Sequence, residues 1–229
     1  MKLSVIIPTL NEDKIINNLL TQLCNLDSNY IEEIIVVDGG SMDQTIEIVS
    51  KHAVTLMQCD RGRAHQMNVA AKAAKGDVLY FIHADTKPLD TFPQDIKTAR
   101  EQGYKIGCYR FKFDSDIQRL KVNSFFTRWN VLMMRGGDQT LFITKEFFNS
   151  LNGFDESYVI MEDFDLIKRS RKVEKFKIIN KSVFVSDRKY KDNTYLKVQL
   201  VNLYAFLMFY FGSSPKKIKE MYYRYLKLN

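Results

Sequence analysis

Cysteine is scarce in this chain: Cys24, Cys59 and Cys108 are the only three among 229 residues. An odd number without metal-ligand spacing excludes a disulfide framework and a zinc knuckle. It reads as the reduced thiols of a cytoplasmic protein. No apolar run reaches the roughly 20 residues that a membrane span needs. The stretch from Val198 to Phe211 falls short of that and is interrupted by Gln199 and Asn202. Met1 runs directly into a strand pattern, so no signal peptide is expected. Internal repeats, low-complexity linkers and a recognisable nucleic-acid-reading motif are all missing. So is a G-x-G-T-R-type glycine-rich loop after the first strand, where Pro8-Thr9-Leu10-Asn11 stands instead.

What is present is an ordered series of strand ends. Leu3–Ile7 stops at Pro8-Thr9-Leu10-Asn11-Glu12, Ile34–Val37 stops at Asp38-Gly39-Gly40-Ser41-Met42-Asp43, and Val78–Ile82 stops at His83-Ala84-Asp85. Each is an apolar run ending in polar residues, as a buried parallel strand does at a sheet edge. Helical spacing follows the first at Ile15, Ile16, Leu19, Leu20 and Leu23. It follows the second from Thr45, with Ser41 as a possible cap, and an alanine-rich helix spans Ala64 to Lys75. This alternation predicts an α/β fold, a mostly parallel sheet with helices on both faces. In such sheets ligands bind outside the carboxyl ends of the strands. The carboxylates and small polar groups gathered there suit a metal and a nucleotide.

Further along, Ile106–Phe113 alternates and reads as an antiparallel strand, Ile117–Met134 as one helix, and Thr140–Thr144 as a short strand. Lys145–Leu151 reads as a short helix, Met161–Arg171 as a helix with carboxylates in its first turn, and Lys177–Ser186 as a last strand. The net charge is +7, and from Ser186 onward nine basic residues face three acidic ones. A basic, aromatic-rich tail points to an anionic surface.

Four motifs in order make the chain resemble the family-2 inverting glycosyltransferases of GT-A (Rossmann-like) fold over about residues 1–190. They are Pro8-Thr9-x-Asn11-Glu12, Val36-Val37-Asp38-x-Gly40-Ser41-x-Asp43-x-Thr45, His83-Ala84-Asp85 where the family usually carries D-x-D, and Glu162-Asp163. Thr86 after that H-A-D, Gly137-Asp138-Gln139 and Met161-Glu162-Asp163 bring it nearest to a small bacterial subgroup with H-A-D-T, G-D-Q and M-E-D. The resemblance implies a GT-A domain over 1–190 and a C-terminal helical extension over 191–229 that is not an independent domain.

It also implies roles. Asp163 is the general base and Glu162 its neighbour in acceptor binding. Pro8, Thr9, Asn11, Glu12, Asp38, Gly40, Arg61, Arg63, Ala84 and Asp85 form the nucleotide-sugar site, with Asp38 on the base. Asp85, with His83, takes Mg²⁺ or Mn²⁺. Arg135, Asp138, Gln139 and Arg188 are weaker candidates near acceptor or diphosphate. From the residues alone each role has a plainer alternative: Asp85 a loop carboxylate paired with Lys87, Asn11 an N-cap, Arg61-Gly62-Arg63 a solvated basic loop, Glu162-Asp163 ordinary acidic residues of a first turn. Asn68 is expected to tie loops together.

The expected function is metal-dependent sugar transfer, with inversion, from a nucleoside diphosphate, UDP before GDP, to an acceptor hydroxyl. Two rivals are a non-catalytic nucleotide-sugar-binding module at a membrane surface and a sugar nucleotidyltransferase. The segment 196–211 is expected to be a core helix, a homodimer interface or a helix lying on the cytoplasmic face of a membrane, where a lipid-linked acceptor would sit.

Overall fold

The computed structural model describes residues 1–115, 117–135, 139–190 and 192–227. Its centre is a seven-stranded sheet in the order β3-β2-β1-β4-β6-β5-β7, formed by β1 (Leu3–Thr9), β2 (Ile31–Asp38), β3 (Thr55–Gln58), β4 (Val78–Phe81), β5 (Ile106–Phe113), β6 (Leu141–Thr144) and β7 (Phe176–Val185). Six strands run one way and β6 alone runs against its neighbours β4 and β5. The alternation of β5 was expected to mark an antiparallel strand. β5 is antiparallel to β6, over Ile106 and Gly107, but along its whole length it pairs with β7, in parallel.

Side chains of β1 leave alternately to the two faces, as the pleat requires. Leu3, Val5 and Ile7 join a core with Leu19, Leu20 and Leu23 of α1 (Ile16–Cys24) and with Phe92 and Ile96. Ile6 joins the other core with Ala64, Met67, Ala70 and Ala71 of α3 (Arg63–Ala73). Both faces are covered, which explains why β1 and β2 read as unbroken apolar runs.

Of the remaining helices, α2 spans Thr45–Val49 and α4 spans Phe92–Glu101. Sequence reading passes over α4, whose start is marked by Pro93 in its first turn. The helix expected over 117–134 is broken: α5 is Gln118–Phe126, and a separate 3₁₀ turn covers Leu132–Met134. Next come α6 (Lys145–Ser150) and α7 (Glu162–Ser170). Beyond β7, α8 (Tyr195–Tyr210) and α9 (Pro215–Tyr225) form a helical hairpin. Its inner face carries Val198, Val201, Ala205, Phe209, Ile218 and Met221. These pack against Tyr158, Ile160, Met161 and Phe164, so the hairpin is docked on α7 and the loop before it. No described helix is long and apolar enough to cross a membrane.

Candidate active site

β1 and β2 end level, Thr9 opposite Asp38. Asp38 is fully buried, and one carboxylate oxygen accepts from the amides of Gly40 and Ser41 at 2.9 and 2.8 Å. The other takes the Ser41 hydroxyl and, at 3.4 Å, the Thr9 hydroxyl. Asp38 therefore shapes the turn after β2, where Gly40 has φ +91°, rather than presenting its oxygens to a base as expected. Ser41, expected to cap α2, is committed to Asp38; the N-cap position is Gln44, and Asp43 before it accepts from Thr45 N and Oγ1 at 3.0 and 2.6 Å. Those bonds outweigh the desolvation that opposes them and hold the Asp43 carboxyl below its ordinary range.

The turn after β2 is laced to the turn after β1. Asn11, in the left-handed region at φ +55°, receives Met42 N on its side chain, while its own amide donates to Ser41 Oγ. Glu12 N donates to Thr45 Oγ1 and Asp13 N to Asp43 Oδ2. Asn11 is thus a lace between loops and not an N-cap. Beneath them Gln66, buried on α3, donates to the carbonyls of both Thr9 and Val37 at 2.8 and 2.9 Å. Its amide packs so close to Gly39 that a Cβ there would lie 3.0 Å from it. Sequence reading missed Gln66. The available signal was a polar residue among Ala64, Met67 and Ala70 on the helix face that meets the sheet.

Lacing leaves the Glu12 carboxylate to reach outward, where it meets Arg188. β7 carries two extra residues, Asn180 and Lys181, between the partners of Tyr109 and Arg110, and this irregularity bends the strand. Its end then exchanges backbone hydrogen bonds with the H-A-D loop: Lys87 N to Phe184 O at 2.8 Å and Phe184 N to Lys87 O at 3.2 Å. Arg188, just beyond, donates to both oxygens of Glu12 at 2.6 and 3.1 Å and to Asp85 Oδ2 at 2.9 Å. The bonds to Glu12 above all, then the Asp85 charge, hold the guanidinium above its usual range against partial burial. Lys87 pairs instead with Asp114, which removes the plain pairing considered for Asp85. Ala84 is buried and His83 partly so.

Among the described residues no cluster of three His, Cys, Asp or Glu side chains stands ready for a metal. The donor set nevertheless fits a hard dication. Glu12 and Asp85 already converge on one cation, and Mg²⁺-type ions bind one or two carboxylates and complete their shell with substrate phosphates.

The second part of the site is the start of α7. Met161 precedes it at φ +72°, an uncommon conformation for a long side chain. Glu162 is 1% exposed and Asp163 8%. Arg63, in the first turn of α3, brings Nη1 to 3.2 Å from Glu162 Oε1. That is ion-pair distance but not hydrogen-bond geometry, and this buried oxygen has no hydrogen bond among the described residues. The geometry makes it a charge contact within the interior.

Asn68, one turn further along α3, clamps the chain before α7. It donates to Phe154 O and Glu156 Oε1 at 2.9 and 2.8 Å and accepts from Phe154 N at 2.9 Å, as expected of a residue tying loops together. Arg61 is exposed in the loop before α3 and Pro8 partly buried at the end of β1.

Two of the weaker candidates lie in the interior. Arg135 is fully buried, its guanidinium donating to the carbonyls of Thr127 and Trp129 and contacting Cys108 Sγ. Gln139 is buried beside it and donates to Met134 O at 3.0 Å. Neither reaches a surface where acceptor or diphosphate would lie. Asp138, with Gly136 and Gly137, lies outside the described residues.

The model of the family described as "Glycosyl transferase family 2" matches residues 4–169. The chain belongs to this family. Among curated relatives, the Staphylococcus aureus poly(ribitol-phosphate) β-N-acetylglucosaminyltransferase TarS is 39% identical over 93 residues, covering 37% of this chain and 16% of TarS. The chain thus spans only a small part of that relative's length. The TarS 1–349 crystal structure in complex with UDP-GlcNAc superposes with a TM-score of 0.67 at 21% identity, covering 82% of this chain and 59% of that one. The mannosyltransferase PcManGT of Pyrobaculum calidifontis, in complex with GDP-Man and Mn²⁺, gives 0.68 at 21% identity, covering 97% and 68%. The sheet and its helices are those of the GT-A fold.

Proposed function

We propose that this family-2 glycosyltransferase moves a sugar from a nucleoside diphosphate, UDP before GDP, to an acceptor hydroxyl with inversion and with Mg²⁺ or Mn²⁺. The observation that carries the reading is the convergence of Glu12, Asp85 and Arg188 at the carboxyl ends of β1 and β4. It is a charged, partly exposed cluster at the place where such sheets bind nucleotides.

In this reading the nucleotide lies along Pro8, Thr9, Asn11 and Glu12, over a floor set by Asp38, Gly40 and Gln66. Arg188, with Arg61, faces the diphosphate. Asp85 and Glu12, with His83 and Ala84 shaping the same loop, hold the cation. A bound dication would neutralise charge on the departing diphosphate. The acceptor oxygen bonds to the anomeric carbon from the face opposite the nucleotide. The bond from that carbon to the phosphate oxygen breaks, and the nucleoside diphosphate leaves with the electron pair. Asp163, held at a helix start, takes the hydroxyl proton, and Glu162 is its neighbour on the acceptor side, held by the charge of Arg63. Relatives bound to UDP-GlcNAc and to GDP-Man with Mn²⁺ support a nucleotide-sugar donor and a divalent cation. Three unpaired thiols support a cytoplasmic setting.

The test is nucleotide release from a panel of UDP- and GDP-sugars with Mn²⁺, alone and with candidate hydroxyl acceptors. Acceptor-dependent release of one nucleotide is expected. Nucleotide binding without turnover on any acceptor would replace this reading with the non-catalytic module.

A further inference from the structure

The hairpin of α8 and α9 has no task in the chemistry above, yet α8 is apolar on both sides. Its inner side is accounted for by Val198, Val201, Ala205 and Phe209, packed on Tyr158 and Phe164. Its outer side presents Leu196, Leu200, Leu203, Leu207, Tyr210 and Phe211, each at least 40% exposed. These positions recur every three or four residues and form one stripe along the helix. The two polar residues that interrupt this stretch in the sequence do not interrupt the stripe. Gln199 donates to Tyr190 Oη at 3.0 Å and Asn202 accepts from Tyr222 Oη at 2.9 Å, so both are turned toward the protein. Contiguous exposed apolar surface of this kind marks an interaction site.

Charge along the hairpin is mostly of one sign. Between Tyr195 and Lys227 there are six basic residues, Lys197, Lys216, Lys217, Lys219, Arg224 and Lys227, against Glu220 alone. All six are exposed. A second copy packed two-fold on α8 would bring these cations against each other. An anionic surface would meet them with counter-charge, and Tyr204, Tyr210, Tyr223 and Tyr225, all exposed, suit the boundary between lipid and water. At 16 residues, or about 24 Å, α8 is too short to span a bilayer and long enough to lie in its surface.

We infer that the outer face of α8, with the basic rim of α9, docks this protein on the surface of an anionic lipid bilayer. Because the opposite face of α8 packs on Phe164, next to Asp163, docking sets the start of α7 beside the membrane. Resting on the sugar-transfer reading, this gives the acceptor class: a hydroxyl compound anchored in, or displayed at, that membrane.

Sedimentation with vesicles of phosphatidylcholine alone and of phosphatidylcholine with phosphatidylglycerol, at low and high salt, tests the docking. The whole protein should pellet with the anionic vesicles at low salt and be released by high salt. Leu200→Glu with Leu207→Glu, both at exposed positions, should lower that partitioning at least about tenfold. The triple variant Lys216→Gln, Lys217→Gln, Lys219→Gln should remove its preference for anionic lipid. A protein that stays in the supernatant with anionic vesicles at low salt overturns the inference, as does a Leu200/Leu207 variant that pellets like the parent. A stable dimer by light scattering that the same variant dissociates also overturns it, in favour of a second copy. UDP affinity, measured without vesicles, reports separately on the sugar-transfer reading and should be unchanged in every variant.

Discussion

Arg188 neutralises two carboxylates at once, so removing it leaves Glu12 and Asp85 close together without a counter-charge. Arg188→Gln should therefore bind Mn²⁺ more tightly than the parent in the absence of nucleotide, by several-fold. It should bind UDP roughly tenfold more weakly, since charge-assisted bonds to phosphate are lost. Calorimetry with each ligand alone reads both, and unchanged affinities would leave Arg188 a structural ion pair. Asp85→Ala should abolish the dependence of UDP affinity on Mn²⁺. Asp163→Asn should lower transfer by about 10²-fold or more, the scale of a lost general base, with UDP affinity within about twofold of the parent. Wild-type turnover in that variant would remove Asp163 from the mechanism.

At this scale the places of Asp85 beyond β4 and of Glu162 and Asp163 at the start of α7 were legible, because each follows an apolar run or begins a helix within an ordered set of motifs. The burial of Asp38 was not, because its partners, the amides of Gly40 and Ser41, are fixed by a turn that residue types do not specify. Arg135 was misread for a related reason. Its place beside the G-D-Q of the resemblance suggested a site near the substrate, yet the chain folds its guanidinium inward onto backbone carbonyls.

Elements posed a different problem. β1, β2 and β4 follow from apolar, β-branched runs and α3 from its alanine content, whereas direction within the sheet does not. β5 and β6 show the same local pattern in either sense, and only the packing of β5 on β7 fixes which is reversed. The break in the helix expected over 117–134 was hidden because Val122, Phe125 and Trp129 look like core residues at helical spacing and are exposed instead. The clamp by Asn68 shows what an element contributes beyond its own packing. It joins α3 to the chain before α7 through three hydrogen bonds, two of them to Phe154 backbone. Asn68→Ala leaves that backbone pair without partners and should cost about 2 kcal/mol, the scale of a lost bond plus unsatisfied groups. In a chain of this size that corresponds to a fall in Tm of roughly 4–8 °C, measurable by calorimetry. A change below about 1 °C would mean that water replaces the clamp.

Over the whole molecule, the hairpin and α7 share one apolar cluster, so the C-terminal segment is not a passive appendage. Phe209 is 3% exposed and packs on Tyr158 and Phe164, with ring centroids 5.8 and 6.2 Å away. Phe209→Ala should destabilise the protein by about 3 kcal/mol, as loss of a buried aromatic ring does. It should lower transfer more than UDP affinity, because the cavity opens beneath Asp163 and not beneath β1 or β4. Equal losses of both would show that the two ends of the site do not move independently.

The reciprocal bonds between Lys87 and Phe184 carry a kinetic consequence. Two amides almost a hundred positions apart can be released to solvent only when a single pair of strands parts. Their hydrogen exchange should therefore show one shared protection factor. Any ligand that holds Arg188 against Asp85 should slow both by the same factor, so that protection at Phe184 reports occupancy of a loop it does not belong to.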